Sequence, residues 1–210
     1  MSHLPQIFDG FLTTLGLVLL SFTGAFVIGV VVVVLRVGPL GVLRAVGIGY
    51  VETFQNIPLL VWLVLFVFGL PEIGVQFPLF TTAVVVISLY EAAYIAEALR
   101  SGVNTVAHGQ GEAARALGLT FSQSLRHVIV PQAARRVVQP LGNIGIALTM
   151  NTSLAAVAGV VELTATANRV NLVEALPIPI FVGAGLCYAL LAAGIGGLAG
   201  LLERRLAVVT

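Results

Sequence analysis

The sequence predicts an all-α membrane protein of five transmembrane helices, with the N-terminus outside and the C-terminus cytoplasmic. Three observations carry this expectation. The 210 residues are 59% hydrophobic and only 9% charged, with a mean hydropathy of +1.08. A soluble domain carries about 25% charged residues, so this chain has too few to cover a water-facing surface. Its apolar runs reach the roughly 20 residues that a bilayer crossing needs. Its basic residues gather on one side of those runs, as the positive-inside rule requires of a cytoplasmic face.

Taken in order, residues 10–35 are free of charge and give the first span. Arg36 and Arg44 bracket a short basic turn. The second span, about 46–70, contains the run from Ile57 to Pro71, and Pro71, Gly74 and Pro78 make the turn after it. The third, 79–99, carries Glu91 and Glu97. A polar segment at 100–136 separates it from the fourth, 137–161, which has no charge. A polar connection at 164–177 leads to the fifth, 176–202, rich in glycine and alanine. The whole chain, 1–210, reads as one transmembrane domain with no internal repeat. With the N-terminus outside, nine of the ten arginines fall on the cytoplasmic side and only Arg169 lies outside. Gly24, Gly29, Gly142 and Gly145 are small residues that let membrane helices approach closely.

Several functions are excluded. A net charge of +1 offers no basic surface for nucleic acid. Cys187 is alone, so no disulfide framework exists. His3, His108 and His127 lack metal-ligand spacing. No P-loop is present, so any ATP and magnesium belong to another chain, and this one needs no cofactor. Ser153, His127 and Glu112 do not make a hydrolase, because Ser153 belongs at membrane depth and His127 in the cytoplasmic loop. The N-terminus lacks the basic region and small-residue cleavage pattern of a removable leader.

The polar segment around Gly109–Pro131 stands out against this background. Glu112 is expected in the first turn of a short helix, where a carboxylate favours the positive end of the dipole. Ala113, Ala114, Ala116 and Leu117 favour helix and present little bulk, and Gly118 ends the helix. Thr120 with Gln123 forms a capping box for a second helix, which Pro131 is expected to stop. A small-residue face of this kind suits docking against another surface.

These residues carry a resemblance. Glu112-Ala113-Ala114, then Gly118, then Val128-x-Val130-Pro131 resembles the cytoplasmic EAA loop of ABC importer permeases, with valines at the last hydrophobic positions. Asn151-Thr152-Ser153-Leu154 followed by Gly159-Val160-Val161-Glu162-Leu163 is similar to the polar amino-acid branch. So are Pro58-Leu59-Leu60, Ala93-Tyr94-Ile95-Ala96-Glu97, Gly109-Gln110 and Pro131-Gln132-Ala133. The run from Arg100 to Val106 looks most like actinobacterial glutamate uptake permeases.

The resemblance implies a type I ABC importer permease fold and a subunit, not an enzyme, that moves glutamate or a related amino acid. It implies two permease subunits, two cytoplasmic ATPases and an extracytoplasmic binding protein, in the multi-pass setting of a bacterial cell membrane. Gly109, Gln110, Glu112, Ala113, Ala114, Leu117 and Gly118 would couple to the ATPase. The candidate substrate path comprises Asn56, Glu91, Tyr94, Asn151, Thr152, Ser153 and Glu162. Ionisable groups within a membrane are functional hypotheses by default. Glu97 has a plainer role available, pairing with Arg36 or Arg100. The outer loops near 69–78 and 164–177 would meet the binding protein, with Arg169 either helping there or simply solvated. Gln55 and Met150 stand where the branch carries cations, which predicts a heterodimer whose partner supplies most of the substrate site. The competing class is a secondary amino-acid transporter or channel that works through Glu91 and Glu162 without an ATPase.

Overall fold

The computed structural model describes residues 3–206, and all regular structure among them is helical. Helix α1 runs over Leu4–Val37, six residues earlier than the first apolar run suggests, because Pro5 seeds the first turn. Helix α2 covers Gly41–Asn56. It is followed by α3 at Leu59–Val64, a π-helical turn at Leu65–Gly69 and the short α4 at Leu70–Glu72. Helix α5, Leu79–Asn104, starts directly after Pro78. The polar segment supplies α6 at His108–Ala116 and α7 at Phe121–Ser124. A π-helical turn at Leu125–Ile129 joins α7 to α8, Val130–Asn151, which closes in a 3-10 turn at Thr152–Ala156. Helices α9, Leu163–Glu174, and α10, Pro177–Leu206, complete the chain.

One expectation about these elements needs correction, and two of the expected spans are broken. The second span is not straight: α2 and the α3–α4 segment meet at 98°. The cause is Pro58, which offers no N–H and forces the residue before it out of the helical region. Ile57 is accordingly extended, at φ −109° and ψ 127°. An aromatic ladder fixes the bend, with Tyr50 on Phe54 at 4.7 Å, Phe54 stacked on Trp62 at 4.6 Å, and Trp62 edge-on to Phe66 at 6.3 Å. Pro131 does not stop its helix either. The widened turn at Leu125–Ile129 absorbs the missing donor, and the helix continues through Pro131 to Asn151. The fourth span does not run helically through 137–161; regular α-helix ends at Asn151, and α9 restarts at Leu163. By length and composition, α1, α5 and α10 qualify as crossings on their own, with bent α2–α4 as a fourth.

Helix α5 is the centre of the bundle, packed along α1 and flanked by α2 and α8. Leu17, Leu59, Leu63, Ile87, Leu148 and Ala155 form the main core, joining α1, α3, α5, α8 and the 3-10 turn. The α1–α5 contact depends on Gly29. A Cβ there would sit 2.7 Å from Ile95 Cγ2 and 3.2 Å from the Ala92 carbonyl oxygen. Gly29→Leu therefore should force the two helices apart and destabilise by about 1–3 kcal/mol or more. Gly183, with nothing within 4 Å, is the matched control. Thermal unfolding in detergent should show a lower midpoint for Gly29→Leu and none for Gly183→Leu; equal midpoints would refute the packing argument.

Candidate functional site

The polar segment folds into a compact loop at the end of the bundle where α5 finishes. Helix α6 begins at His108, so Glu112 lies in its second turn rather than its first. This corrects the expectation that its carboxylate meets the positive end of the helix. The helix ends as the sequence suggests. Gly118 has φ +82°, its N–H donates to the Arg115 oxygen at 2.9 Å, and the Leu119 N–H donates to the Ala114 oxygen at 3.1 Å. This pair of bonds satisfies carbonyls that would otherwise be orphaned, and it requires a left-handed residue between them. The capping box is also present: Thr120 N–H donates to Gln123 Oε1 at 2.9 Å, and Gln123 N–H to Thr120 Oγ1 at 3.3 Å.

Within α6 the side chains divide cleanly. Ala114 is buried and seats the helix on the rest of the loop. Gly109, Gln110, Glu112, Ala113, Leu117 and Gly118 are exposed. Leu117, 82% exposed, and Phe121, 60% exposed, are large apolar groups with no cover from this chain. A short helix that leaves small and large apolar side chains in solvent has the character of an interaction surface.

Within the bundle, the structure brings together two predicted residues sixty positions apart: Asn151 Nδ2 donates to Glu91 Oε1 at 2.7 Å. Glu91 is 2% exposed. One turn further along α5, Tyr94 shares a 3.1 Å hydroxyl contact with Tyr90. Thr152 and Ser153 instead donate to carbonyls of their own helix, Thr149 and Met150, each at 2.7 Å. Asn56 donates to the Glu52 carbonyl at 2.7 Å, tying down the end of α2. Gln55, Tyr94, Glu97, Ser101, Thr105 and Arg136 line a cavity of about 480 Å³ between α2, α5 and α8.

Glu97 takes the plainer of its two roles. It accepts from Arg36 Nη1 at 2.5 Å and from Arg100 Nε at 3.2 Å, with Arg100 Nη2 bonded as well. Glu97→Gln should weaken the clamp joining α1 to α5 by about 1 kcal/mol. Glu97→Asp should restore part of it, as read from unfolding midpoints in detergent. An unchanged midpoint for Glu97→Gln would show that the clamp contributes nothing.

Glu162 differs most from its expected place. It is fully buried, and its carboxylate accepts from Ala165 N–H at 2.8 Å, Thr14 Oγ1 at 3.3 Å and the Tyr188 hydroxyl. Thr14 Oγ1 in turn accepts from the Leu163 N–H at 3.1 Å. Glu162 is thus the N-cap of α9 and a knot tying α9 to α1 and α10. Sequence reasoning missed Thr14 and Tyr188; a lone tyrosine in the glycine- and alanine-rich run of α10 was the available signal.

The all-helical bundle, with its long apolar helices and its exposed loop helix, defines a class: an integral membrane protein. Residues 25–208 match the binding-protein-dependent transport system inner membrane component family, and the chain belongs to that family. It is therefore a transport subunit and not an enzyme. It is 37% identical over 198 residues to the probable glutamine ABC transporter permease protein GlnM of Bacillus subtilis, covering 94% of this chain and 92% of that one. It is 40% identical over 170 residues to the glutamate transport system permease protein GluC of Corynebacterium efficiens, covering 75% of each. Among solved structures, the crystal structure of an amino acid ABC transporter with histidines matches with a TM-score of 0.90 at 31% identity, covering 96% of this chain and 94% of that one.

Proposed function

We propose that this chain is one of two permease subunits of an ATP-driven importer for polar amino acids of the glutamate and glutamine group. The observation that carries the reading is the exposed α6, with Ala113, Leu117 and Gly118 facing solvent at the arginine-rich end of the bundle. The names of the relatives support the substrate class. In this reading the chain crosses a bacterial cell membrane five times, at about 10–35, 46–70, 79–99, 137–161 and 176–202, the second and fourth as broken spans. The N-terminus is outside, and the loop at 100–136 is cytoplasmic. Two separate ATPase chains hold ATP and magnesium. A binding protein delivers substrate to the outer side near 69–78 and 164–177. The second permease subunit is a different chain, consistent with the uncharged Gln55 and Met150.

Closure of the ATPase pair moves α6 as a rigid lever. Beyond the Gly118 turn, α7 and α8 form one continuous helix across the widened turn, and that helix carries the movement on to Asn151. The span pair α5–α8 then switches between inward-open and outward-open arrangements. The path runs past Glu91, Asn151 and Tyr94, with Asn56, Thr152 and Ser153 near it. Glu162 holds the outer helices together.

A tagged pull-down from native membranes in mild detergent tests the reading. It should recover an ATPase and a second permease, with ATP hydrolysis stimulated by loaded binding protein. A chain that purifies without an ATPase and still transports would overturn it.

A further inference from the structure

On the side of α8 turned away from the cavity at Gln55 and Arg136, a groove of about 350 Å³ runs between α1, α8 and α10. Leu19 and Phe22 wall it on α1, Val138 and Gly145 on α8, and Leu198 and Leu202 on α10. Its rim is open, since Leu19, Leu198 and Leu202 are exposed. One hydroxyl belongs to the wall, that of Thr23, and it donates to the Leu19 carbonyl of its own helix at 2.7 Å. The groove thus offers no free side-chain hydrogen bond to water or to a polar ligand, whereas an alkyl chain fills it without a desolvation cost.

Its dimensions suit one leaflet of a bilayer. Val138–Gly145 and Ile195–Leu202 each span about 10 Å at 1.5 Å per residue. Half of a roughly 30 Å hydrocarbon core is about 15 Å. A helix with its side chains is about 10–12 Å across, too broad to seat in a groove of this volume.

Charge gathers at one end of the groove. Helices α8 and α10 run antiparallel along it: a Cβ on Gly142 would meet the Ala199 Cβ at 2.5 Å, and one on Gly145 the Ile195 Cγ2 at 3.1 Å. Extended along both helices, that register sets Arg135 level with Arg205. Arg135 lies one turn before Val138 and Arg205 one turn after Leu202, so both stand at the same mouth of the groove. Both are exposed, and neither forms an ion pair among the described residues. Arg136 and Arg204 are turned about 160° around their helices from Val138 and Leu202. Glu203, the acid nearest in sequence, is turned about 160° from Arg205.

We propose that this groove holds one acyl chain of an anionic phospholipid, with the phosphate bound between Arg135 and Arg205. Lipid hydrocarbon fills an open apolar groove at membrane depth, and the two arginines on facing helices select the headgroup. A zwitterionic headgroup brings its own cation to the same mouth and loses that gain. This lipid site is independent of the substrate and of the partners proposed above.

Native mass spectrometry tests it on the purified permease complex, equilibrated in mild detergent with equal amounts of dioleoylphosphatidylglycerol and dioleoylphosphatidylcholine. The wild type should retain the phosphatidylglycerol in preference. Arg135→Gln and Arg205→Gln should each cut that preference about fivefold, and the two together about 30-fold, the scale set by single basic residues at an anionic lipid surface. Arg204→Gln removes the same charge from the opposite side of α10 and should leave the preference unchanged. Thr23→Phe narrows the apolar wall and should lower the amount of lipid retained at an unaltered preference. Equal retention of the two lipids by the wild type overturns the proposal. So does a loss with Arg204→Gln equal to that with Arg205→Gln, which marks general surface attraction, or unchanged retention with Thr23→Phe. A wild-type complex that retains neither lipid also overturns it, since a groove closed by a second protein chain would exclude both.

Discussion

Gly118→Asp should cut ATP-dependent uptake at least about 10-fold while the subunit still inserts and assembles with its partners. Two physical terms act together. Gly118 sits at φ +82°, where a side chain costs about 1–2 kcal/mol. An added carboxylate at the negative end of a helix dipole costs about 0.3–1 kcal/mol more. Because 1.4 kcal/mol is roughly tenfold in an equilibrium constant, distorting the end of α6 by this amount is enough to uncouple the docking surface. Space is not the issue, since nothing lies within 4 Å of a Cβ at this position. Gly118→Asn tests that distinction: asparagine tolerates left-handed backbone and carries no charge, so most uptake should survive. Normal uptake with Gly118→Asp, measured in vesicles containing equal amounts of complex, would remove α6 from the coupling role.

Glu162→Ala should have the largest effect on stability. It strips the acceptor from the Ala165 N–H, the Thr14 hydroxyl and the Tyr188 hydroxyl at once. Loss of a helix cap costs about 0.5–2 kcal/mol, and each buried donor left unsatisfied about 1–3 kcal/mol. The sum is comparable to the stability of a whole domain. The variant should fail to accumulate or elute as aggregate from size exclusion in detergent. Glu162→Gln keeps an acceptor oxygen and should remain folded with a reduced midpoint. A well-behaved Glu162→Ala with the wild-type midpoint would show that the knot between α1, α9 and α10 is dispensable.

These two residues also show how far the sequence could be read. The loop was legible because its rules are local: Gly118 ends a helix and Thr120 begins one wherever the chain goes. Pro131 was misread for the same reason. A proline breaks an ordinary helix, but a widened turn one step earlier removes the clash, and nothing in the local sequence announces that turn. Pro58 carried the same local signal and did break its helix, because no such turn precedes it. Glu91 and Glu162 were both flagged as acidic groups at membrane depth, yet their fates differ entirely. One keeps an unbonded oxygen beside Asn151, and the other is enclosed by three donors from α1, α9 and α10.

The sequence by itself determined that this chain belongs in a membrane, that three of its long helices are predominantly apolar, and that an EAA loop interrupts the apolar runs. Composition and short-range spacing suffice for each, since lipid and the helix termini act on a residue's nearest neighbours. Only the tertiary structure decided that Glu97 clamps α1 to α5, and that Glu162 caps α9 and ties it to α1 and α10 while Glu91 is buried against Asn151. Those outcomes depend on groups dozens to more than a hundred residues apart. A buried polar group is defined by the donors that reach it, and the packing of the helices selects those donors.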